Sequence, residues 1–131
     1  MSDDDVLALA ATFQEASDAG DVETLRSLYA PDAVVWHNAD AKEQTVEDVL
    51  AMTPWIRENL RGLRHVDVRR QRTGHGFVQQ HVLRATTPSD AELAVPACIV
   101  VEVRDGRITR LDEYLDTAAF AVLLADDLRG A

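Results

Sequence analysis

Ala19-Gly20-Asp21-Val22-Glu23-Thr24-Leu25-Arg26-Ser27-Leu28-Tyr29-Ala30-Pro31-Asp32-Ala33-Val34-Val35-Trp36-His37-Asn38 is the stretch whose reading decides the fold. Gly20 can close a preceding helix in the left-handed region, where a side chain would be strained, and Asp21 can cap the next helix. Val22, Leu25, Leu28 and Tyr29 then share one side of a helix over 22–29, too short to stand without packing. Pro31-Asp32 turns the chain into a strand, Ala33 to His37, that ends in proton-handling side chains.

Upstream, Val6, Leu9, Ala10, Phe13 and Ala16 recur at the three-and-four spacing of one apolar helix face, which predicts a helix over 4–19. Downstream, Thr45-Val46-Glu47-Asp48 has the pattern of a capping box opening a helix toward Leu60. Pro54 interrupts it: either the helix kinks there, or Thr53 caps a fresh turn with Pro54 at its first position. After Gly62 the period becomes two, and 63–72, 77–86, 92–104 and 107–115 read as strands separated by turn-forming residues. Asp105-Gly106 is a strong two-residue hairpin signal. A last helix over 118–124, capped by Thr117 and apolar at Phe120, Leu123 and Leu124, would cover the open end. Helices first and an antiparallel meander last predict one α+β domain over 1–131, with helices covering one face of the sheet.

The composition narrows the partners. Thirteen basic against 23 acidic residues give a formal charge of −10, which repels phosphate backbones and anionic membranes. The 131 residues are 47% hydrophobic, enough for one core. No apolar run approaches the roughly 20 residues that span a bilayer, and the N-terminus is acidic where a secretory signal would be basic, so a cytoplasmic protein is expected. The single Cys98 sits among Val95, Ala97, Ile99 and Val100 and is expected to be buried. Four scattered histidines show no metal-ligand spacing, and no phosphate loop or nucleophile motif is present, so no metal or cofactor is expected.

Alternation along the strands sorts the polar residues. Gln79 and His81 share a face with Leu83 and Ala85; Thr109, Leu111, Glu113 and Leu115 share another. Placing Leu111 and Leu115 inward takes Glu113 with them, and a buried carboxylate needs a partner, for which His81 on a neighbouring strand is the natural one. His65 could face either way, and His75 lies in a turn between two glycines. Arg69-Arg70-Gln71-Arg72 reads as a solvated strand face or a dimer contact.

Two segments carry a family resemblance: the opening stretch, and Asp105-Gly106-Arg107-Ile108-Thr109-Arg110-Leu111-Asp112-Glu113-Tyr114-Leu115-Asp116 at the end. They resemble the nuclear transport factor 2-like superfamily, which includes SnoaL-type polyketide cyclases, ketosteroid isomerases and limonene epoxide hydrolase. The resemblance implies a cone-shaped α+β barrel, a strongly curved sheet around an apolar pocket. His81-Val82-Leu83-Arg84-Ala85 resembles a segment of the epoxide hydrolase, whose two catalytic aspartates fall on His81 and Glu113 and whose bridging arginine falls on Gln79. That substitution removes the positive bridge, so epoxide hydrolysis does not carry over. The ketosteroid isomerase base falls on or beside His37, but Phe13 stands at the tyrosine of its oxyanion site, which argues against steroid isomerisation. Trp36 and Asn38 match the positions of the side chains that hold the hydrolase's catalytic water.

The expectation is therefore a cofactor-independent acid/base enzyme acting on a small apolar metabolite, of hydrolase, isomerase or cyclase type. His81, Glu113 and His37 would be its catalytic groups. Gln79 and Asn38 would position substrate or water, with Trp36, Trp55 and Leu111 shaping the pocket. Each has a plainer reading: His81 and Glu113 as a structural ion pair, His37 as a solvated strand end, the tryptophans as core, Asn38 as a turn residue. A homodimer is expected, without nucleic-acid or membrane partners. The rival is a non-catalytic ligand-binding or dimerisation module.

Overall fold

The computed structural model describes residues 2–121. Two helices open the chain, α1 (Asp3–Ala19) and α2 (Val22–Leu28), followed by β1 (Tyr29–His37), β2 (Lys42–Thr45), α3 (Val46–Leu50) and α4 (Thr53–Asn59). Four long strands complete the fold: β3 (Arg61–Arg72), β4 (Gly76–Thr86), β5 (Glu92–Arg104) and β6 (Arg107–Leu115). Local chemistry sets the boundaries. Ser2 and Asp5 form a capping box at the start of α1, and Gly20 ends it at φ 66° with its N–H on the Ala16 and Ser17 carbonyls. Asp21 caps α2 through the Thr24 N–H, and Thr45 with Asp48 forms the expected box on α3.

Some boundaries differ from the sequence pattern. Tyr29 is the first residue of β1 rather than the last of α2, because it pairs with Ile108 across the sheet. The helix toward Leu60 breaks in two. Pro54 lies in the first turn of α4, but Thr53 is inside that helix and Met52 precedes it without a side-chain cap bond. The four-residue β2 is too short and polar to show as a periodic run, and its pairing with β1 creates it. Helical residues 117–121 follow β6, and Asp116 rather than Thr117 accepts their free N–H groups, from Ala118 and Ala119. Leu123 and Leu124 lie outside the described residues.

The six strands form one sheet in the order β2-β1-β6-β5-β4-β3, with β1 and β6 parallel and the other neighbours antiparallel. Asp105 and Gly106 turn β5 into β6 at φ 52° and 80°, as a two-residue hairpin with both central residues left-handed requires. Gly76 has another reason to be glycine: a Cβ there would lie 1.9 Å from the Val101 carbonyl oxygen.

Two apolar clusters lie on the helix-covered face. One joins α1, α2 and α3 to Val35, Phe77, Ile99, Val101, Ile108 and Leu111. The other joins Leu60, Ala85, Leu93 and Val95 to Trp55, Leu83, Leu115 and Phe120. Between them, at corresponding positions of successive strands, the same face carries His65 and Arg70, Gln79 and His81, Glu113, and His37. Cross-strand register joins His37, Glu113, Ile99, Gln79 and Arg70 in one row. A polar belt therefore crosses the sheet between two apolar patches.

Two irregularities decide which side chains reach this face. The register of β3 slips between Val66 and Arg69, where Asp67 takes φ 54°, so Leu63 and His65 face inward before the slip and Arg70 after it. Arg70 thus leaves the solvated face expected for residues 69–72. A second slip, opposite Glu102 and Val103 in β6, takes Thr109 out of the inward set and puts the fully buried Ile108 there. Cys98 pairs with Gln80 and Tyr114 on the outer face, where it is only partly covered rather than buried.

Candidate functional site

The end of β1 delivers His37 beside the end of β6, and His37 Nε2 lies 3.2 Å from Glu113 Oε1. Both remain reachable, with side chains 27% and 17% exposed. The carboxylate raises the imidazole pKa above its ordinary 6.5, chiefly by accepting its hydrogen bond, against a smaller opposing effect of burial. Glu113 therefore pairs with His37, not with His81 as the strand pattern suggested. β1 and β6 are immediate neighbours, whereas β5 separates β6 from β4, about 10 Å for two strand spacings.

His81 finds a different partner. Arg70 Nε donates to Gln79 Oε1 at 2.6 Å, and Gln79 Nε2 lies 3.0 Å from His81 Nδ1. Arginine can only donate, so the amide oxygen must face it and the amide N–H must face the imidazole. Nδ1 is then an acceptor, and the neutral ring keeps its proton on Nε2. Burial, helped by the nearby His65 and opposed by Glu113, lowers the His81 pKa to about 4. Nε2 has no hydrogen-bond partner among the described residues, and His81 is only 4% exposed. An unsatisfied buried donor costs about 1–3 kcal/mol.

A further pair went unrecognised in the sequence. His65 Nδ1 lies 2.5 Å from Asp18 Oδ1, and the His65 ring stands edge-on to His81 with centroids 4.6 Å apart. Arg70 also donates to Gln14 Oε1 at 2.5 Å. Helical spacing alone signals that Gln14 and Asp18, four apart, lie on one side of α1; their opposition to β3 depends on its bulge.

The remaining expected site residues have other places. Asn38 uses both ends of its amide on one backbone: Nδ2 donates to the Leu115 carbonyl at 3.2 Å and Oδ1 accepts from its N–H at 3.0 Å. It clamps β1 to β6. Trp36, one residue before the inward His37, lies on the opposite face against Tyr114, with ring centroids 5.1 Å apart. Leu111 is buried in the first cluster, and Trp55 packs on the second. None of the expected site residues lines the cavity of about 350 Å³ enclosed by the end of α1, α2, α3, α4 and the start of β3. That cavity meets Asp18, Tyr29, Leu50, Ile56 and Leu63 instead.

The family model of the SnoaL-like domain matches residues 10–111. The fold is similar to that of IdmH, a candidate polyketide cyclase from Streptomyces antibioticus, with a TM-score of 0.80 at 23% identity, covering 92% of this chain and 98% of the other. It is similar to AclR, a candidate hydroxylase from Streptomyces galilaeus, at TM-score 0.82 and 14% identity, covering 95% and 87%. An NTF2-like protein of unknown function from Burkholderia pseudomallei K96243 superposes at TM-score 0.81 and 18% identity, covering 94% and 98%. These likenesses establish the cone-shaped α+β fold. No curated protein sequence matches the chain.

Proposed function

The chain belongs to the SnoaL-like domain family, and from that premise we propose that it is a cofactor-independent acid/base enzyme acting on an apolar, carbonyl-bearing small molecule. The observation that carries this reading is the His37–Glu113 pair, 3.2 Å apart and partly exposed at one end of the polar belt that runs between the two apolar clusters. With Nε2 bonded to Glu113, the neutral His37 ring has its lone pair on Nδ1, where it can take a proton from carbon or from water. Glu113 orients the ring and stabilises the imidazolium that forms. His81, kept neutral by burial, stands further along the same polar belt, with its Nε2–H without a partner among the described residues. Gln79 sets its tautomer, and Arg70 sets Gln79. The cyclase description of one fold neighbour fits a carbonyl-rich apolar substrate.

Exchange of the α-protons of 2-tetralone in D2O, followed by NMR, tests the base. The protein should accelerate exchange above buffer with an acid limb centred above pH 6.5, the ordinary histidine value. Glu113→Gln should move that limb down, and His37→Gln should remove the acceleration. Acceleration unchanged in His37→Gln would overturn the assignment.

A second reading, a binding module without chemistry, is favoured by one fact: His37, Glu113 and His81 do not line the 350 Å³ cavity. Binding of 2-tetralone with no exchange would select it. We also propose a homodimer formed through the outer sheet face, where Val100 and Tyr114 are exposed.

A further inference from the structure

The first three helices are anchored by side chains that reach the core, such as Leu9 and Ala10 in α1, Leu25 in α2, and Val46 and Leu50 in α3. α4 has no buried residue. Its Trp55 and Ile56 rest partly covered against the second apolar cluster, and Arg57 and Glu58 are exposed. The free energy of opening a segment follows the apolar contact it would lose, so this seven-residue helix is the one that parts most easily from the fold. Both of its ends permit the motion. Upstream, Ala51 and Met52 separate it from α3, and Met52 is 45% exposed and gives α4 no side-chain cap. Downstream, Gly62 takes φ 66°, and a Cβ there would meet nothing within 4 Å, so no neighbour packs over that bend.

Arg57 holds the helix down by donating from Nη1 to the Ala19 carbonyl. α1 has no basic residue in its own last turn, so this guanidinium is the cation at the negative end of its dipole. It lies so close over Gly20 that a Cβ at that position would collide with it. The bond is at the surface, where water can take its place on the carbonyl, and it is therefore reversible. Thr53, Ile56 and Arg57 also form one wall of the 350 Å³ cavity, whose other walls come from α1, α2, α3 and the start of β3.

We infer that α4 is a lid on this cavity, which swings as a unit between Met52 and Gly62 and is latched by Arg57 on the C-terminal end of α1. Opening breaks the Arg57–Ala19 bond and lifts Thr53 and Ile56 from the cavity. Leu25 and Leu50 in the opposite wall are then uncovered, while Ala10 in α1 and Val46 in α3 stay in the core.

The test places one cysteine at a time in a full-length Cys98→Ala chain and follows its reaction with fluorescein maleimide, a reagent too bulky for the closed cavity. Leu50, Val46 and Ala10 are all buried, so each cysteine reacts only through an opening. Leu50→Cys should react about a hundredfold faster than Ala10→Cys, because it needs the lid and not global unfolding. Low urea should barely change its rate, since a lid exposes little surface, whereas the Ala10→Cys rate should climb steeply. Val46→Cys should behave as Ala10→Cys does. Arg57→Met removes the latch and should speed the Leu50→Cys reaction about tenfold, and Arg57→Lys, which can still donate, should restore most of the protection. In a Trp36→Phe chain Trp55 reports on α4 alone, and Arg57→Met should make its fluorescence more open to quenching by acrylamide. If Leu50→Cys fails to fold, Leu25→Cys and the Trp55 quenching carry the result. Reaction of Leu50→Cys no faster than that of Ala10→Cys, Val46→Cys as fast as Leu50→Cys, or protection unchanged by Arg57→Met would overturn the inference. The lid does not rest on the acid/base reading: loss of 2-tetralone exchange leaves it standing, and a Leu50→Cys that reacts only on unfolding leaves the exchange standing.

Discussion

His37 and His81 are imidazoles on one sheet face, yet they couple folding to pH with opposite signs. His81 has a folded pKa of about 4 against an ordinary 6.5, so the unfolded chain takes up the proton first. Its stabilising contribution is complete above pH 6.5 and is lost as the pH falls toward 4, on the order of 3 kcal/mol. Four charged or titratable groups act on it: His65, Glu113, Asp18 and Arg70. His37, raised by Glu113, contributes stability that is complete below pH 6.5 and is lost as the pH rises through its folded value. The difference is measurable as denaturant midpoints at pH 7 and pH 4.5. His81→Gln cannot protonate and should lose less stability between the two than the parent chain. An equal loss would mean that His81 does not stay neutral in the folded protein. Alternation alone put Gln79, His81 and Glu113 on the inner face correctly. It could not choose Glu113's partner, because a strand pattern carries no information about which strands are neighbours.

At the scale of elements, the glycine at the start of β4 is a steric requirement. Gly76→Ala would drive a methyl group into the Val101 carbonyl, and the fixed backbone on both sides leaves no side chain to yield. The expected cost is about 1–3 kcal/mol, seen as a lowered urea midpoint with an unchanged slope; a midpoint equal to the parent's would show that β4 and β5 can part without penalty. The helices and the long strands were legible because their apolar periods extend over many residues. β2 was not, since four polar residues have no period to read and only the edge of β1 makes them a strand. The bulge at Asp67 was equally hidden. Nothing in Val66-Asp67-Val68-Arg69-Arg70 announces that one residue drops out of register, yet that slip turns Arg70 from the solvated face to the face where it orders Gln79 and His81.

Among the described residues, the helices cover one face of the sheet and none covers the other. Trp36, Tyr114 and Val100 lie on that uncovered side, with Tyr114 47% and Val100 39% exposed. If this face joins two copies, light scattering at micromolar concentration should give twice the 14.5 kDa chain mass, and Val100→Lys with Tyr114→Glu should return it to one. A monomeric parent chain would remove the dimer from the proposal. Among the described residues no helix is long and apolar enough to cross a membrane.

By itself the sequence determined the scaffold: the order of helices and strands, the caps at Gly20, Asp21 and Thr45, the Asp105-Gly106 hairpin and the inward face of β4. These follow from short-range chemistry and hydrophobic period, which every local window of the chain contains. Only the tertiary structure decided the partners. The parallel contact of β1 with β6 gave Glu113 to His37, the bulge in β3 brought Arg70 to Gln79, and the packing of α1 on β3 brought Asp18 to His65. Each of these joins residues distant in sequence through strand order and register, and a shift of one residue in either would send the side chain to the opposite face.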